Sequence, residues 1–260
     1  MAYRELLPHP ALQPFVDRFW ILGAAAGAGP RRILPDGCID VILDVDPDGH
    51  GFGQATAVGT MTRAMLFHPR TRVRSAAVRF RPGGAAPFLR LPVHALTDRV
   101  VEAGDADARW LAPADIDAQS DPVAAVAALE RRLLARLQAI DGLDRAVAHA
   151  IGRLFSAAPP SIDELGRELG WSRQHLARRF RTAVGVGPKQ LARVARLQRA
   201  VDHLQRNIKM GTLAGAAAEL GYFDQAHMAR DFRELAGLAP RDIRAARGSI
   251  FPIRSLWEAP

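Results

Sequence analysis

The sequence predicts an α+β protein with two parts: a small β-rich N-terminal domain with some helices, built as a sheet or a barrel, and an all-α C-terminal domain. Three observations lead to this fold class. One motif occurs twice near the C-terminus, short alternating segments fill residues 30–100, and Ala157-Ala158-Pro159-Pro160 separates the two patterns. Two consecutive prolines cannot continue a helix, so a boundary is expected there. The chain has 260 residues, enough for two domains with separate cores.

The repeated motif starts with Glu-Leu-Gly at Glu168 and again at Glu219. Both copies then reach a phenylalanine, a glycine and a proline in the same order: Phe180, Gly185 and Pro188, and Phe232, Gly237 and Pro240. A repeat of this length indicates one structural unit used twice.

The first copy has the signals of two helices joined by a short turn. Ser161 and Glu164 have the spacing of a capping box, which satisfies two amides at a helix start. Gly170 is suited to end that helix and Ser172 to cap the next one, which Gly185 stops. A helix, a short turn containing glycine and a second helix form the helix-turn-helix pattern.

The second copy has the same order with one extra residue in its turn. Thr212 is the expected first cap and Gly221 ends the first helix. Phe223 stands where the first copy has Ser172, and Asp224, one residue later, is the better cap by its chemistry.

A linker from Pro188 to about Leu204 joins the two units. Its apolar residues lie near one stripe of a helix, and proline suits a first helical position. We interpret this helix as a spacer between two recognition helices, because successive major grooves on one face of DNA are about 34 Å apart.

Residues from about 160 to 246 resemble the DNA-binding domain of the AraC family of bacterial transcription regulators. The residues that carry the resemblance are Leu165, Gly170, Leu176, Arg178, Phe180, Gly185, Pro188, Ala217, Gly221, Tyr222, Asp224, Gln225, His227, Arg230, Phe232, Gly237 and Pro240. Phe223, Ala226 and Met228 depart from the family pattern, which bears on the base contacts of the second unit and not on the fold.

Exposed side chains near the start of each recognition helix are the candidate base contacts, and the resemblance places groove contacts at the same positions. They are Arg173, Gln174 and Arg178 in the first unit and Gln225, His227 and Arg230 in the second. Arginine recognises guanine and glutamine recognises adenine. The candidate phosphate contacts are Arg181, Lys189 and Arg241. As alternatives, the arginines could pair with Glu164 or Asp231, the glutamines could be solvated, and His227 could cap or pack.

The charge distribution agrees with DNA as the partner. The formal net charge is +8, and residues 158–260 hold 17 basic and 10 acidic residues, which gives +7. Phosphate neutralisation requires such an excess. Cys38 is the single cysteine, so neither an intrachain disulfide nor a cysteine-based metal cluster is expected. With no long apolar run and no signal peptide, we expect a cytoplasmic protein without a membrane partner.

Residues 30–100 alternate between strand and turn signals. We expect strands ending near Leu34 and at 38–45, 56–59, 64–68 and 73–80. We also expect turns at 46–49 and 81–84 and a short helical region around Ala85–Leu91.

Two helices are expected between residues 122 and 157. The first opens at Asp121-Pro122 and turns inward Val123, Val126, Leu129, Leu133 and Leu137; the second runs from Leu143 to Phe155. They could pack on their own barrel or pair with a second copy, and dimerisation is favoured because regulators commonly bind as symmetric dimers. The expected domains are therefore 1–157 and 158–260, with helix-turn-helix units at about 161–186 and 212–238.

The N-terminal half resembles a subgroup of the AraC family through three motifs: Leu-Pro-Asp-Gly-Cys at 34–38, Val-Arg-Phe-Arg-Pro-Gly-Gly at 78–84 and Leu-Thr-Asp-Arg-Val at 96–100. The resemblance suggests a sensory or dimerisation domain without naming an effector. Candidate effector residues are Asp36, Cys38, Asp40, Arg79 and Arg81, because an arginine beside carboxylates could hold an anionic small molecule. As alternatives, Arg79 forms a structural ion pair and Cys38 is a small buried hydrophobe or a redox switch.

The sequence therefore predicts a transcription regulator, not an enzyme, that binds double-stranded DNA and a small-molecule effector. It implies a homodimer and contact with RNA polymerase, with no cofactor and no metal. Two alternatives stay open: a constitutive DNA-binding protein without an effector, and a Cys38-dependent enzyme or redox sensor. Phosphate-binding loops and hydrolase or metalloprotease motifs are missing from the sequence.

Overall fold

A computed structural model describes residues 3–23, 29–45, 52–68, 74–89, 91–106, 121–206 and 212–250 of the protein. The α+β class is confirmed, with a β-rich N-terminal part and a helical C-terminal part. The predicted turn at 46–49 lies outside the described residues.

Within these ranges, eight strands build the N-terminal part. They are β1 (Tyr3–Leu6), β2 (Val16–Leu22), β3 (Arg31–Ile33), β4 (Ile39–Val45), β5 (Phe52–Val58), β6 (Met65–Phe67), β7 (Ser75–Phe80) and β8 (Val100–Glu102). Six of them form an antiparallel sheet in the order β1-β2-β7-β4-β5-β8, and β3 pairs with β6. The strands expected around 38–45, 56–59, 64–68 and 73–80 are confirmed with shifted ends.

Both faces of the larger sheet are covered. On one face, Val41, Val78 and Phe80 pack against α1 (Pro122–Leu137) through Leu129 and Leu133. On the other, a smaller cluster around Trp20 and Ala77 includes Ile33 of β3 and Phe67 of β6. Strand β7 is consequently buried along its whole length.

Two expectations for this part were wrong. Residues 82–88 form turns in place of the expected helix, and Phe88 and Leu89 both donate amide hydrogens to the Ala85 carbonyl. Val123 is 45% exposed at the start of α1, because Pro122 on the neighbouring helix position is the residue that packs inward there.

Six further helices follow in the described part of the chain: α2 (Arg145–Phe155), α3 (Ile162–Leu169), α4 (Arg173–Val184), α5 (Pro188–Arg206), α6 (Leu213–Glu219) and α7 (Gln225–Asp231), which continues as a π-helical turn Phe232–Ala236. Helices α3 and α4 pack with α2 and the first half of α5. Helices α6 and α7 pack with the second half of α5.

Helix α2 packs on the first helix-turn-helix unit, a partner that the sequence did not indicate. Val147, Ile151 and Leu154 share a hydrophobic cluster with Leu176 and Phe180. The boundary at residue 157 stays a prediction, and this packing favours one between α1 and α2.

The N-terminal part contacts both helix-turn-helix units. Thr60 Oγ1 donates to the Val184 carbonyl at 2.5 Å, at the end of α4. Gln198 Nε2, which is buried on α5, donates to the Pro35 carbonyl at 2.6 Å. Beside α7, Ala64 N donates to the Leu235 carbonyl at 2.7 Å. These hydrogen bonds connect the sheet to the linker helix and to both units.

Candidate nucleic-acid interface

Local hydrogen bonds fix both ends of the helices in the first unit. Glu164 N donates to Ser161 Oγ at 3.2 Å and Ser161 N donates to Glu164 Oε2 at 2.8 Å, which completes the predicted capping box. Gly170 ends α3 with φ at +65°. Ser172 Oγ then accepts from His175 N at 3.2 Å and caps α4.

The second unit repeats this arrangement. Thr212 Oγ1 accepts from Gly215 N at 3.1 Å and caps α6, and Gly221 has φ at +75°. Asp224 Oδ1 accepts from His227 N at 2.6 Å, so Asp224 caps α7 as its chemistry predicted. The turn before the cap therefore contains Tyr222 and Phe223, where the first unit has Trp171 alone.

The three candidate base contacts of α4 are exposed. Arg173 Nε and Nη2 donate to Asp163 Oδ1 and Oδ2 at 2.6 and 2.5 Å. Both side chains are largely exposed, so this ion pair contributes little and can exchange for a phosphate or a base. Arg178 Nη2 lies 3.3 Å from His175 Nδ1, and Glu164, its suggested partner, is instead engaged with Ser161. Gln174 is exposed.

In the second unit, Gln225 and Arg230 are exposed on α7. The charge of the Arg230 guanidinium acts weakly on the Glu234 carboxyl, whose pKa is lowered mainly by its hydrogen bond from Arg193. His227 differs, because its Nδ1 accepts from Phe223 N at 3.3 Å and its ring meets Tyr222 edge-on at 5.4 Å. This geometry favours the packing alternative for His227, and its base contact stays a prediction.

A buried carboxylate that the sequence suggested as a partner for the recognition-helix arginines instead connects α7 to the linker. Asp231 is 3% exposed, and Arg193 Nε and Nη2 donate to its Oδ1 at 3.0 and 2.8 Å. Arg196 Nη1 lies 4.0 Å from Asp231 Oδ2 and stacks over Tyr222 at 5.2 Å. The sequence signal for this pairing was the position of Asp231 on the inner face of α7, since a buried carboxylate needs a cationic partner. These contacts set the orientation of α7 relative to α5.

The three candidate phosphate contacts are all exposed. They are Arg181 on α4, Lys189 at the start of α5, and Arg241 after the π-helical turn, whose Nε lies 3.6 Å from Asp242 Oδ1. Exposed cations can exchange such weak partners for phosphate oxygens.

Comparison with known proteins agrees with the C-terminal geometry. Residues 165–246 match the family described as a helix-turn-helix domain. An uncharacterised HTH-type transcriptional regulator of Staphylococcus aureus is 29% identical over 90 residues, which are 35% of this chain and 12% of that protein. A transcriptional regulator with an AraC-type DNA-binding domain from Chromobacterium violaceum is 27% identical, over 39% of this chain and 88% of the solved one, with a TM-score of 0.34.

This segment is a helix-turn-helix domain. The chain covers only about an eighth of the length of the Staphylococcus relative. Residues 4–102 match a domain of unknown function, DUF6597. An apo variant of ToxT from Vibrio cholerae is 12% identical over 87% of this chain and 97% of its own length, with a TM-score of 0.44.

A cavity of about 1510 Å³ lies beside the helix-turn-helix units, between α2, α4, α5 and the loop at 81–87. Its lining includes six arginines and three aspartates: Arg81, Arg136, Arg178, Arg179, Arg199, Arg206, Asp141, Asp144 and Asp202. In the described residues, Arg199 Nη1 is buried without a hydrogen-bond partner. Burial lowers the pKa of the Arg199 guanidinium, and the nearby charge of Arg196 lowers it further. The cavity is therefore suited to an anion.

The candidate effector residues divide into a buried cluster and one separate arginine. Arg79 Nη1 lies 3.6 Å from Asp36 Oδ2, and Arg79 Nε donates to Asp40 Oδ1 at 3.2 Å. Asp36 Oδ1 also accepts from Cys38 N at 2.9 Å. Arg81 stands apart, with its Nε donating to the Gln13 carbonyl at 2.9 Å, and it alone of the five lines the cavity.

This buried cluster agrees with the structural alternative that the sequence left open. Arg79 and Asp36 are 4% and 3% exposed and satisfy each other. Burial raises the pKa of the Asp36 carboxyl, which the charge of Arg79 opposes. An effector role for these residues stays a prediction. Among the described residues, no group of His, Cys, Asp and Glu is arranged to hold a metal ion.

We expect the Cys38 thiol to be unreactive in the folded protein. It is 4% exposed, and burial raises its pKa well above the ordinary value, with the charge of Asp36 acting in the same direction. Since the thiolate is the reactive species, Ellman's reagent should release no colour until denaturant is added. Rapid stoichiometric reaction of the native protein would revive the redox and enzyme alternatives.

Proposed function

We propose that this protein is a sequence-specific transcription regulator that reads two successive major grooves of double-stranded DNA with α4 and α7. One observation supports this most directly. Two recognition helices with equivalent caps present exposed arginine and glutamine side chains and are joined by one 19-residue helix. A helix of that length spans about 28 Å, which is comparable to the ~34 Å between successive major grooves.

The linker is held firmly enough to act as a spacer. Leu191 and Ala195 in its first half pack with the core of the first unit, and Leu204 in its second half packs with the core of the second. Arg193 also donates to Asp231 on α7. Both halves of α5 thus contact a helix-turn-helix unit, so the distance between the two recognition helices is set before DNA binds. Preorganisation of this kind reduces the ordering cost of binding.

Selection from random duplexes by the full-length protein tests the proposal. Two short motifs separated by about one helical turn, roughly 10 base pairs, are the expected result. A single short motif would restrict reading to one unit. No enrichment over random sequence would contradict sequence-specific binding.

Arg230→Ala should weaken binding to the selected site by about 1–3 kcal/mol and relax the preference at one base pair, because the side chain is exposed on the proposed recognition helix and arginine can recognise a base edge. Arg241→Ala is the matched control, since a phosphate contact should lose affinity equally on selected and random DNA. Titrations at one salt concentration with both duplexes compare the variants. Equal losses by Arg230→Ala on the two duplexes would rule out base recognition by this residue.

We also propose that a small molecule bound near the N-terminal part modulates DNA binding. The cavity beside α4 and α5 supports this, as do the hydrogen bonds that join the sheet to both units. A ligand there would contact Arg178, itself a candidate base reader. A thermal-shift series with anionic metabolites is the first test, and the absence of any stabilising ligand would favour the constitutive alternative.

The proposal has further elements, of which the subgroup rests on the resemblance and the others on general features of the sequence and of regulators. They are membership in the subgroup with Leu-Pro-Asp-Gly-Cys at 34–38, a homodimer, contact with RNA polymerase and a cytoplasmic location. Within the described residues, no helix has the length and apolar character needed to cross a bilayer. Sedimentation with and without the selected duplex would measure the oligomeric state directly.

A further inference from the structure

The extra residue in the second turn is identified by the caps. Ser172 and Asp224 occupy the same position, because each accepts a hydrogen bond from the amide three residues later. Counting forward from the glycines that end the first helices, Gly170 and Gly221, Tyr222 corresponds to Trp171, and it is 4% exposed. Phe223 is thus the residue without a counterpart in the first unit.

Phe223 is also the most exposed large hydrophobic side chain among the described residues, at 92%. Trp171, by contrast, is partly buried and packs on the His175 ring at 4.8 Å between centroids. The backbone of Phe223 is nevertheless fixed, since its N–H donates to His227 Nδ1 at 3.3 Å and the next residue is the cap. A single exposed apolar residue needs no explanation, but this one is held at the tip of a recognition helix.

Its neighbours on the surface set the second unit apart from the first. After the cap, α4 presents Arg173 and Gln174, whereas α7 presents Gln225 and the exposed, apolar Ala226. Phe223 and Ala226 therefore give the leading end of α7 an apolar character that α4 lacks. Both residues depart from the family pattern, and both are exposed at the N-terminal end of α7.

We propose that Phe223, with Ala226, contacts the C5-methyl group of a thymine and makes the second unit selective for thymine at one position. The proposal rests on the proposed function, because it requires α7 to enter a major groove. The thymine methyl is the one apolar group on the major-groove edges of the bases, and phenylalanine and alanine side chains are suited to contact it. Gln225 beside them suits adenine, so the second half-site should be richer in A·T pairs than the first.

Removing the methyl group alone tests this contact. Each thymine of the second half-site in the selected duplex is replaced in turn by deoxyuridine, which pairs identically and lacks only the methyl. The wild-type protein should lose about fourfold in affinity at one position, the equivalent of ~0.8 kcal/mol for one buried methyl-sized group. Phe223→Ser should bind the thymine duplex at least fourfold more weakly and show no further loss with deoxyuridine.

Two controls isolate the effect. Leu7→Ser replaces another hydrophobic residue, which is 83% exposed and lies outside the helix-turn-helix units. This variant should bind the thymine duplex and the deoxyuridine duplex with the same affinities as the wild type. Replacing thymines of the first half-site should affect wild-type protein and Phe223→Ser equally. The denaturation midpoint of Phe223→Ser should match the wild type, since the side chain has almost no buried area.

The outcomes separate this inference from the proposed function. Specific binding in which no thymine-to-deoxyuridine change affects the wild type would overturn the methyl contact and leave the regulator proposal intact. The methyl contact would also be overturned if Phe223→Ser retained full sensitivity to deoxyuridine, or lost affinity equally on random DNA, as a contact with the sugar-phosphate backbone would. Failure of the wild type to enrich any duplex would overturn both.

Discussion

Replacing Phe180 with alanine should lower the free energy of unfolding by about 3–5 kcal/mol. Phe180 lies on the inner face of α4 and is fully buried. Its ring fills the centre of a cluster built by α2, α3, α4 and the start of α5, whose other buried members are Val147, Ala150, Ile151, Leu154, Phe155, Leu165, Leu176, Val184, Val186, Leu191 and Ala195. Truncation removes the buried ring and leaves a cavity that the surrounding helices cannot readily close, because α2, α3 and α4 are each fixed at the N-terminus by a side-chain cap.

Urea denaturation followed by circular dichroism measures this change. Phe223→Ala is the matched control, since the same substitution at a 92% exposed side chain should shift the free energy of unfolding by no more than about 0.5 kcal/mol. The Phe180 variant should also lose specific DNA binding, because α4 loses its support. If both variants unfold at the wild-type urea concentration, the assignment of Phe180 to the core is wrong.

The helix-turn-helix units could be predicted closely because their ends depend on local chemistry. Ser161 with Glu164, and Ser172, satisfy amides within three residues of themselves, so sequence spacing is enough to locate them. The same reasoning identified Asp224 as the cap of α7 despite the shifted register. The side chains expected to face DNA are exposed for the same reason, since their direction follows from the helix period.

The N-terminal part was less predictable because its pattern is set by distant neighbours. Strand β2 was not predicted, since both of its faces are largely buried and Asp17 and Arg18 interrupt its apolar run while pairing with each other. The helix expected near Ala85 fails for a tertiary reason. A side chain on Gly84 would lie 2.1 Å from the Phe15 carbonyl oxygen, so this glycine serves a close approach between two segments.

Packing partners were the main information missing from the sequence. The amphipathic pattern of α2 gives its apolar face but not the surface it covers, which is the first unit in place of the sheet. Leu34, in the motif interpreted as a sensor, is 2% exposed within the hydrophobic cluster of the second unit. The Leu-Pro-Asp-Gly-Cys segment thus lies between the sheet and the linker helix, and one of its functions is to join them.

Replacing Arg79 with methionine should destabilise the protein by about 3–5 kcal/mol at neutral pH. Methionine retains most of the side-chain volume, so the loss comes from the charge. The carboxylates of Asp36 and Asp40, at 3.6 and 3.2 Å from the guanidinium, would be left without their cation in a buried site. Asp40 keeps a hydrogen bond from Trp20 Nε1 at 2.8 Å, whereas among the described residues Asp36 keeps the Cys38 amide alone.

The destabilisation caused by Arg79→Met should change with pH in a defined direction. Burial already raises the pKa of Asp36, and Arg79 opposes that rise, so removing the arginine raises the pKa further. When the pKa of a carboxyl in the folded protein exceeds its unfolded value of about 3.9, ionisation of that carboxyl lowers the free energy of unfolding. This loss of stability develops as the pH rises from the unfolded pKa through the folded pKa, and it disappears on acidification. The stability difference between wild type and Arg79→Met should therefore be smaller at about pH 5 than at about pH 7.

Arg81→Met provides the comparison that separates a buried charge from a general loss of arginine. Arg81 lies two residues away on the same chain segment, its side chain is 39% exposed, and its Nη2 is 3.7 Å from Asp17 Oδ1. Such a partly solvated pair should contribute no more than about 1 kcal/mol. Urea denaturation of both variants at the two pH values gives the four free energies required. Equal destabilisation by the two substitutions, or a deficit for Arg79→Met that grows on acidification, would show that Arg79 does not neutralise a buried carboxylate, and its guanidinium would then be available to an anionic effector.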